Sequence, residues 1–99
     1  MKSLGDTLRE LREAKQLPLR TVAAYLDIDQ AILSRIERGQ RKASREQVIK
    51  LSGYFNVNED DLIIAWLSDK VVSELSDERN AIDALKVAEN QINYLRGKK

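Results

Sequence analysis

Between positions 30 and 45 the chain carries Gln30, Ser34, Arg35, Arg38, Arg41, Lys42 and Arg45, side chains that bind anions and the polar edges of bases. Residues 19–39 read LRTVAAYLDIDQAILSRIERG, two short helices joined by a tight turn, with the second starting at Asp29 and ending at Gly39. Helical spacing gathers Ile32, Leu33 and Ile36 on one face and leaves Gln30, Ala31, Ser34 and Arg35 on the other. Gln30 can form paired hydrogen bonds with adenine N6 and N7, and Arg35 with guanine O6 and N7; Ala31 can touch a thymine methyl. Arg38, Arg41, Lys42 and Arg45 place four cations within eight residues, enough to straddle a phosphate backbone. A helix flanked in this way suits the major groove of DNA. A solvated helix face beside a soluble basic loop is the plainer reading of the same residues, and both stand open at this point.

Other chemistry is mostly excluded by composition. The 99 residues include no His and no Cys, which removes the commonest general base, the commonest metal ligands and any disulfide framework. Asp60/Asp61 and Asp77/Glu78 are carboxylate pairs, but without His they read as charges at helix starts. No metal site, cofactor or catalytic group is expected, and the chain reads as a binding protein, not an enzyme. Its opening residues, MKSLGDTLRELREAK, are amphipathic and unlike a signal peptide. The longest apolar run, residues 62–67, is far too short to cross a bilayer. A cytoplasmic location follows as an expectation.

The net charge of +1 divides unevenly. Residues 1–57 carry eleven Lys and Arg against seven Asp and Glu, a balance of +4; residues 58–99 carry six against nine, a balance of −3. A mildly basic first part and an acidic second part are what is expected when only one of them meets a polyanion; ordinary variation in charge among solvated helices is the plainer reading, and it stands open here.

The elements that must position these residues read as nearly all helix. Gly and Pro are scarce, strong helix formers abound, and no stretch alternates strictly between apolar and polar residues. Leu4, Leu8, Leu11 and Ala14 make one face of a first helix, from about residue 3 to 16. Pro18 suits the start of a second helix, whose inner face is Val22, Ala23 and Leu26. Asp29 is expected to cap the third helix with its carboxylate, and Gly39 to end it in the left-handed conformation. Ser44 is read as the cap of a fourth helix with Val48, Leu51, Ser52 and Phe55 inward. Asn56 and Asn58 mark a turn, and a fifth helix follows from about Glu59, with Leu62, Ile63, Trp66 and Leu67 apolar. Trp66 lies where that helix leaves the domain. It is read either as an anchor of a dimer interface or as the residue that closes the base of the core.

The tail carries a second pattern. Ala81, Leu85, Ala88, Ile92 and Leu95 recur at spacings of four and three, a heptad seam of about two heptads, and Ile82 widens it. So amphipathic a helix must cover its apolar face, on a partner chain or on its own domain. The predicted organisation is a domain over residues 1–67 and a C-terminal helical extension over 68–99 that serves dimerisation.

On these residues, positions 4–62 resemble the helix-turn-helix domain of the lambda Cro and phage-repressor family. The resemblance rests on Ala23, Leu26 and Ile28, on the run Ser34-Arg35-Ile36-Glu37-Arg38-Gly39, and on Phe55 and Val57 before Leu62. It implies an all-α, five-helix repressor-like fold, to which the tail adds an amphipathic helix. Ala23 is small where the second and third helices cross, and Ile28 plugs the space under the turn. Glu37 falls on the inner side of the third helix, where an unpaired carboxylate is costly; in similar domains it pairs with an Arg of the first helix, and Arg12 holds that position here. Three positions depart from the family pattern: Leu19 replaces the usual Gln, Asp27 the usual Gly and Ala43 the usual Pro.

The function implied is that of a homodimeric transcriptional regulator, a repressor or autoregulator that reads an inverted repeat in double-stranded DNA. Gln30, Ala31, Ser34 and Arg35 would contact bases, and Arg38, Arg41, Lys42 and Arg45 would contact phosphates. Phage repressors, restriction–modification controller proteins and antitoxins belong to the same family. The alternatives are an antitoxin-like protein whose acidic tail holds a protein partner, a toxin or another regulator, and a helix-turn-helix interaction module that does not bind DNA.

Overall fold

Six helices follow one another in the computed structural model, which describes residues 2–97 and contains no strand among them. They are α1 (Leu4–Ala14), α2 (Leu19–Leu26), α3 (Gln30–Glu37), α4 (Arg45–Phe55), α5 (Glu59–Leu75) and α6 (Ala81–Gly97). The all-α class, the five-helix domain and the additional C-terminal helix are thus as the sequence reads. Met1, Lys98 and Lys99, which the two expected segments include, lie outside the described residues.

Short polar side chains start three of the helices. The Ser3 hydroxyl accepts from the Asp6 N–H at 3.1 Å, and the Asn58 side chain accepts from the Asp61 N–H at 3.0 Å. Ser44 and Gln47 form a reciprocal capping box at the start of α4. Asp29 is different. It occupies the N-cap position of α3, but its side chain makes no capping bond; its carbonyl instead accepts from the Ile32 and Leu33 N–H groups at 3.0 and 3.2 Å. Pro18 stands just before α2 with φ −72°, preset for a helix start.

The turns rely on left-handed residues. Asp27 (φ 58°), Asn56 (φ 55°) and Gly39 (φ 75°) all adopt that conformation. At Asp27 and Asn56 it costs about 1 kcal/mol, less than for most side chains because short polar groups tolerate it. After Asp27 the chain turns sharply into α3, and the Ile28 N–H returns to the Ala23 carbonyl at 3.0 Å.

Leu8, Val22, Leu33, Val48 and Leu51 form the fully buried centre. Ala23 is buried beside them, and Leu19 and Ile28 pack half-buried against the cluster. Trp66 closes the base. It is 9% exposed, its Nε1 donates to the Ala43 carbonyl at 2.7 Å, and the Lys70 ammonium sits 3.6 Å from the ring centroid. The ring is therefore committed to its own chain, which favours the core reading of Trp66.

The α5 helix runs unbroken past residue 67, where the domain was expected to end. No residue of α6 is buried. Among the described residues no helix is long and apolar enough to cross a membrane.

Candidate nucleic-acid interface

The candidate reading helix, α3, is eight residues long and so spans about 12 Å. Its inner side is fixed by packing: Leu33 and Ile36 are buried and Ile32 is half-buried. The opposite side exposes Gln30, Ala31 and Arg35, with Ser34 half-buried at the edge. Gln30 opens the helix and Arg35 follows on the same outward side. A helix about 10–12 Å across with this polar edge matches the width of the DNA major groove, about 12 Å.

The C-terminal end of α3 is held from inside. Glu37 is 5% exposed, and Arg12 of α1 grips it with two hydrogen bonds, Nε to Oε2 at 2.8 Å and Nη2 to Oε1 at 3.0 Å. The third arm of the guanidinium donates to the Leu17 carbonyl at 2.9 Å, so the pair also fixes the chain between α1 and α2. The hydrogen bonding that Arg12 donates to Glu37 holds the Arg12 pKa above its ordinary value; burial opposes this and the charge of Glu37 adds to it. A planar fork on a carboxylate is a rigid junction, not a catalytic group.

Two further contacts, neither expected from the sequence, tighten the same corner. Gly5 lets the start of α1 approach the end of α3 so closely that a Cβ there would lie 2.4 Å from the Glu37 carbonyl oxygen and 2.7 Å from that of Ile36. The Asp69 carboxylate of α5 accepts from the Leu4 N–H at 2.9 Å, across 65 residues. A glycine in the first turn of a helix was the only hint of this close approach. The Asp69 contact had no local signal at all.

Arg35, Arg38, Arg41, Lys42 and Arg45 are exposed, and among the described residues none of them forms an ion pair with a carboxylate. Arg38 turns its Nε back on the Ser34 carbonyl at 3.3 Å. Arg45 lies 5.0 Å over the Trp66 ring. Arg41 and Lys42 project from the loop between α3 and α4, beside Ala43, whose carbonyl is pinned by the Trp66 indole. The outcome is a set of cations with no internal counter-charge, next to a polar helix edge of base-reading type.

Leu19 packs into the core edge, and its side chain has no group to hydrogen-bond a phosphate. Asp27 and Asn56 occupy equivalent left-handed positions after α2 and α4. The six residues expected at a dimer interface divide: Trp66 is buried in the core, whereas Leu85, Ala88, Ile92 and Leu95 are exposed on α6 and Ala81 is partly so.

A helix-turn-helix family model matches residues 8–62, more than half of the chain. Over 66 residues the chain is 36% identical to the uncharacterized HTH-type transcriptional regulator RghRB of Bacillus subtilis (strain 168), a match covering 66% of this chain and 48% of that protein. Over 50 residues it is 40% identical to the HTH-type transcriptional repressor RghR of the same organism, covering 50% of this chain and 37% of the relative. The chain therefore spans about half the length of the first relative and little more than a third of the second. No solved structure matches it significantly.

Proposed function

The chain belongs to the helix-turn-helix family of the lambda Cro and phage-repressor type, and on that premise we propose that it is a sequence-specific DNA-binding regulator of transcription. It acts in the cytoplasm as a homodimeric repressor or autoregulator. The observation that carries this reading is the exposed edge of α3, held at a fixed angle by the buried Arg12–Glu37 pair and flanked by cations that no carboxylate pairs among the described residues.

In the proposed complex α3 enters the major groove. Gln30 and Arg35 read base edges, Ala31 and Ser34 complete the contact, and Arg38, Arg41, Lys42 and Arg45 neutralise phosphates. Residues 1–67 do the binding, and residues 68–99 supply the dimer contact through Leu85, Ala88, Ile92 and Leu95, with Ala81 at its start. A two-fold dimer sets its two reading helices about 34 Å apart, one DNA turn, and so requires an inverted repeat. The two curated relatives are named as transcriptional regulators, and one of them as a repressor, which supports the same class of activity here.

Selection of bound sequences from a random duplex pool tests the proposal. A palindromic motif with half-sites one turn apart is expected. Recovery of no motif would overturn sequence-specific reading, and a motif without symmetry would overturn the dimer.

A further inference from the structure

Two apolar strips that the chain leaves uncovered meet at Val71. On α5, Ile64, Leu67 and Val71 follow at spacings of three and four on the side away from Leu62 and Trp66, and all three are exposed. On α6 the heptad seam is exposed from Leu85 to Leu95, with Ala81 partly so. The strips adjoin in a groove lined by Val71 on one side and by Ile82, Leu85, Ala88 and Ile92 on the other. We infer that this groove receives α6 of a second copy of the chain, running antiparallel, so that α5 is part of the dimer interface and α6 does not pair alone. This rests on the dimeric reading above and gives it a geometry.

Area favours so large an occupant. The uncovered Ile, Leu and Val side chains on this face are 39–64% exposed, roughly 700 Å² in total, against about 800 Å² per partner in a stable complex. That exceeds the largest apolar patch of a typical monomer, about 300–600 Å².

Charge selects a second copy and its direction. Residues 74–83 carry Glu74, Asp77, Glu78 and Asp83 against Arg79, a balance of −3. Residues 84–97 carry Lys86 and Arg96 against Glu89, a balance of +1, which the two final lysines of the sequence raise to +3. Antiparallel pairing sets the acidic end of α5 and the acidic α5–α6 connection of each copy beside the basic end of the other copy's α6, whereas parallel pairing stacks acid on acid. It also separates the two N-terminal domains by the length of the 17-residue helix, about 25 Å, the same order as one DNA turn.

The absence of native cysteine makes cross-linking a clean test. Ala88→Cys, near the middle of α6, is expected to oxidise to a disulfide-linked dimer. Ala81→Cys and Leu95→Cys should each fail alone and cross-link when mixed. Self-linking of Leu95→Cys would overturn the antiparallel direction, and no linking at any of the three positions would overturn the interface. Val71 is exposed, so Val71→Asp should keep the helical circular dichroism while weakening the dimer at least about tenfold by sedimentation. An unchanged dimer would remove α5 from the interface. Binding of the unaltered chain and of Arg35→Ala to a single half-site duplex reads the base contacts without the dimer, so the two proposals fail separately.

Discussion

The Arg12 guanidinium and the Glu37 carboxylate meet in a two-pronged ion pair at 2.8 and 3.0 Å, both largely buried, joining α1 to the end of α3 across 25 residues. Because the two hydrogen bonds share one plane, the pair fixes an angle as well as a distance. The orientation of the helix proposed to read DNA is thus set from the inside, by residues that never reach its outer edge.

Arg12→Ala leaves the Glu37 carboxylate buried without a counter-charge. A loss of about 3 kcal/mol in unfolding free energy is expected. Arg12→Lys keeps the charge but not the fork and should recover only part of it. Denaturant titration measures both; a loss below about 1 kcal/mol for Arg12→Ala would mean that the pair is relaxed by solvent.

Much of this corner was legible one residue at a time. Ser44 announced a helix start because a cap is a local arrangement within four residues; Ser3 and Asn58 cap α1 and α5 in the same way, although Asn58 read from the sequence only as part of a turn. Asp29 carried the same signal and failed to cap with its side chain, since the chain satisfies that turn through the Asp29 carbonyl. Glu37 stood out as an acid on an apolar face, but its partner was available only through the resemblance to repressor domains. The Gly5 approach and the Asp69–Leu4 contact were missed because tertiary contacts over such separations leave no periodic trace. At the candidate interface the exposed edge of α3 was readable from spacing alone. The core position of Trp66 was one of two readings, and its burial favours that one.

Gly5→Ala should be far more damaging than an alanine in the first turn of a helix usually is. Its Cβ would meet backbone oxygens, which cannot swing aside as a side chain can. A cost of about 1–3 kcal/mol is expected, read as a fall in melting temperature. Unchanged stability would show that α1 and α3 can separate freely.

Trp66→Phe removes the indole N–H and leaves the Ala43 carbonyl without its 2.7 Å partner. A loss of about 1–3 kcal/mol is expected from that unsatisfied acceptor. As the carbonyl adjoins Arg41 and Lys42, faster amide hydrogen exchange at residues 41–44 should accompany the loss. Native-like exchange there would mean that the loop is held by other contacts.

Affinity for duplex should be flat between pH 6 and 7.5 at constant ionic strength, because the chain has no His and no Cys to titrate. The Arg12–Glu37 pair adds no slope either. Since the Arg12 pKa is raised by folding, its contribution is fully present below the ordinary arginine value and is lost only as pH rises through the raised one. A change in Kd of more than about threefold across this window, by fluorescence anisotropy, would point to a titrating group absent from the proposed contacts.

Arg35→Ala and Arg41→Ala should differ in kind. The first is expected to cost about 1–3 kcal/mol on the preferred site and to relax selectivity at one base pair. The second should weaken binding to every sequence alike and lower the salt slope by about 0.9. If Arg35→Ala leaves the selected motif unchanged, α3 is not the reading helix.

The most direct test compares the Kd for the selected operator with that for a scrambled duplex of equal length, at about 150 mM salt. A ratio of at least about 10³ is expected of a sequence-reading dimer. Equal affinity for the two duplexes would contradict sequence-specific recognition, leaving α3 and its cations as a non-specific anion-binding surface.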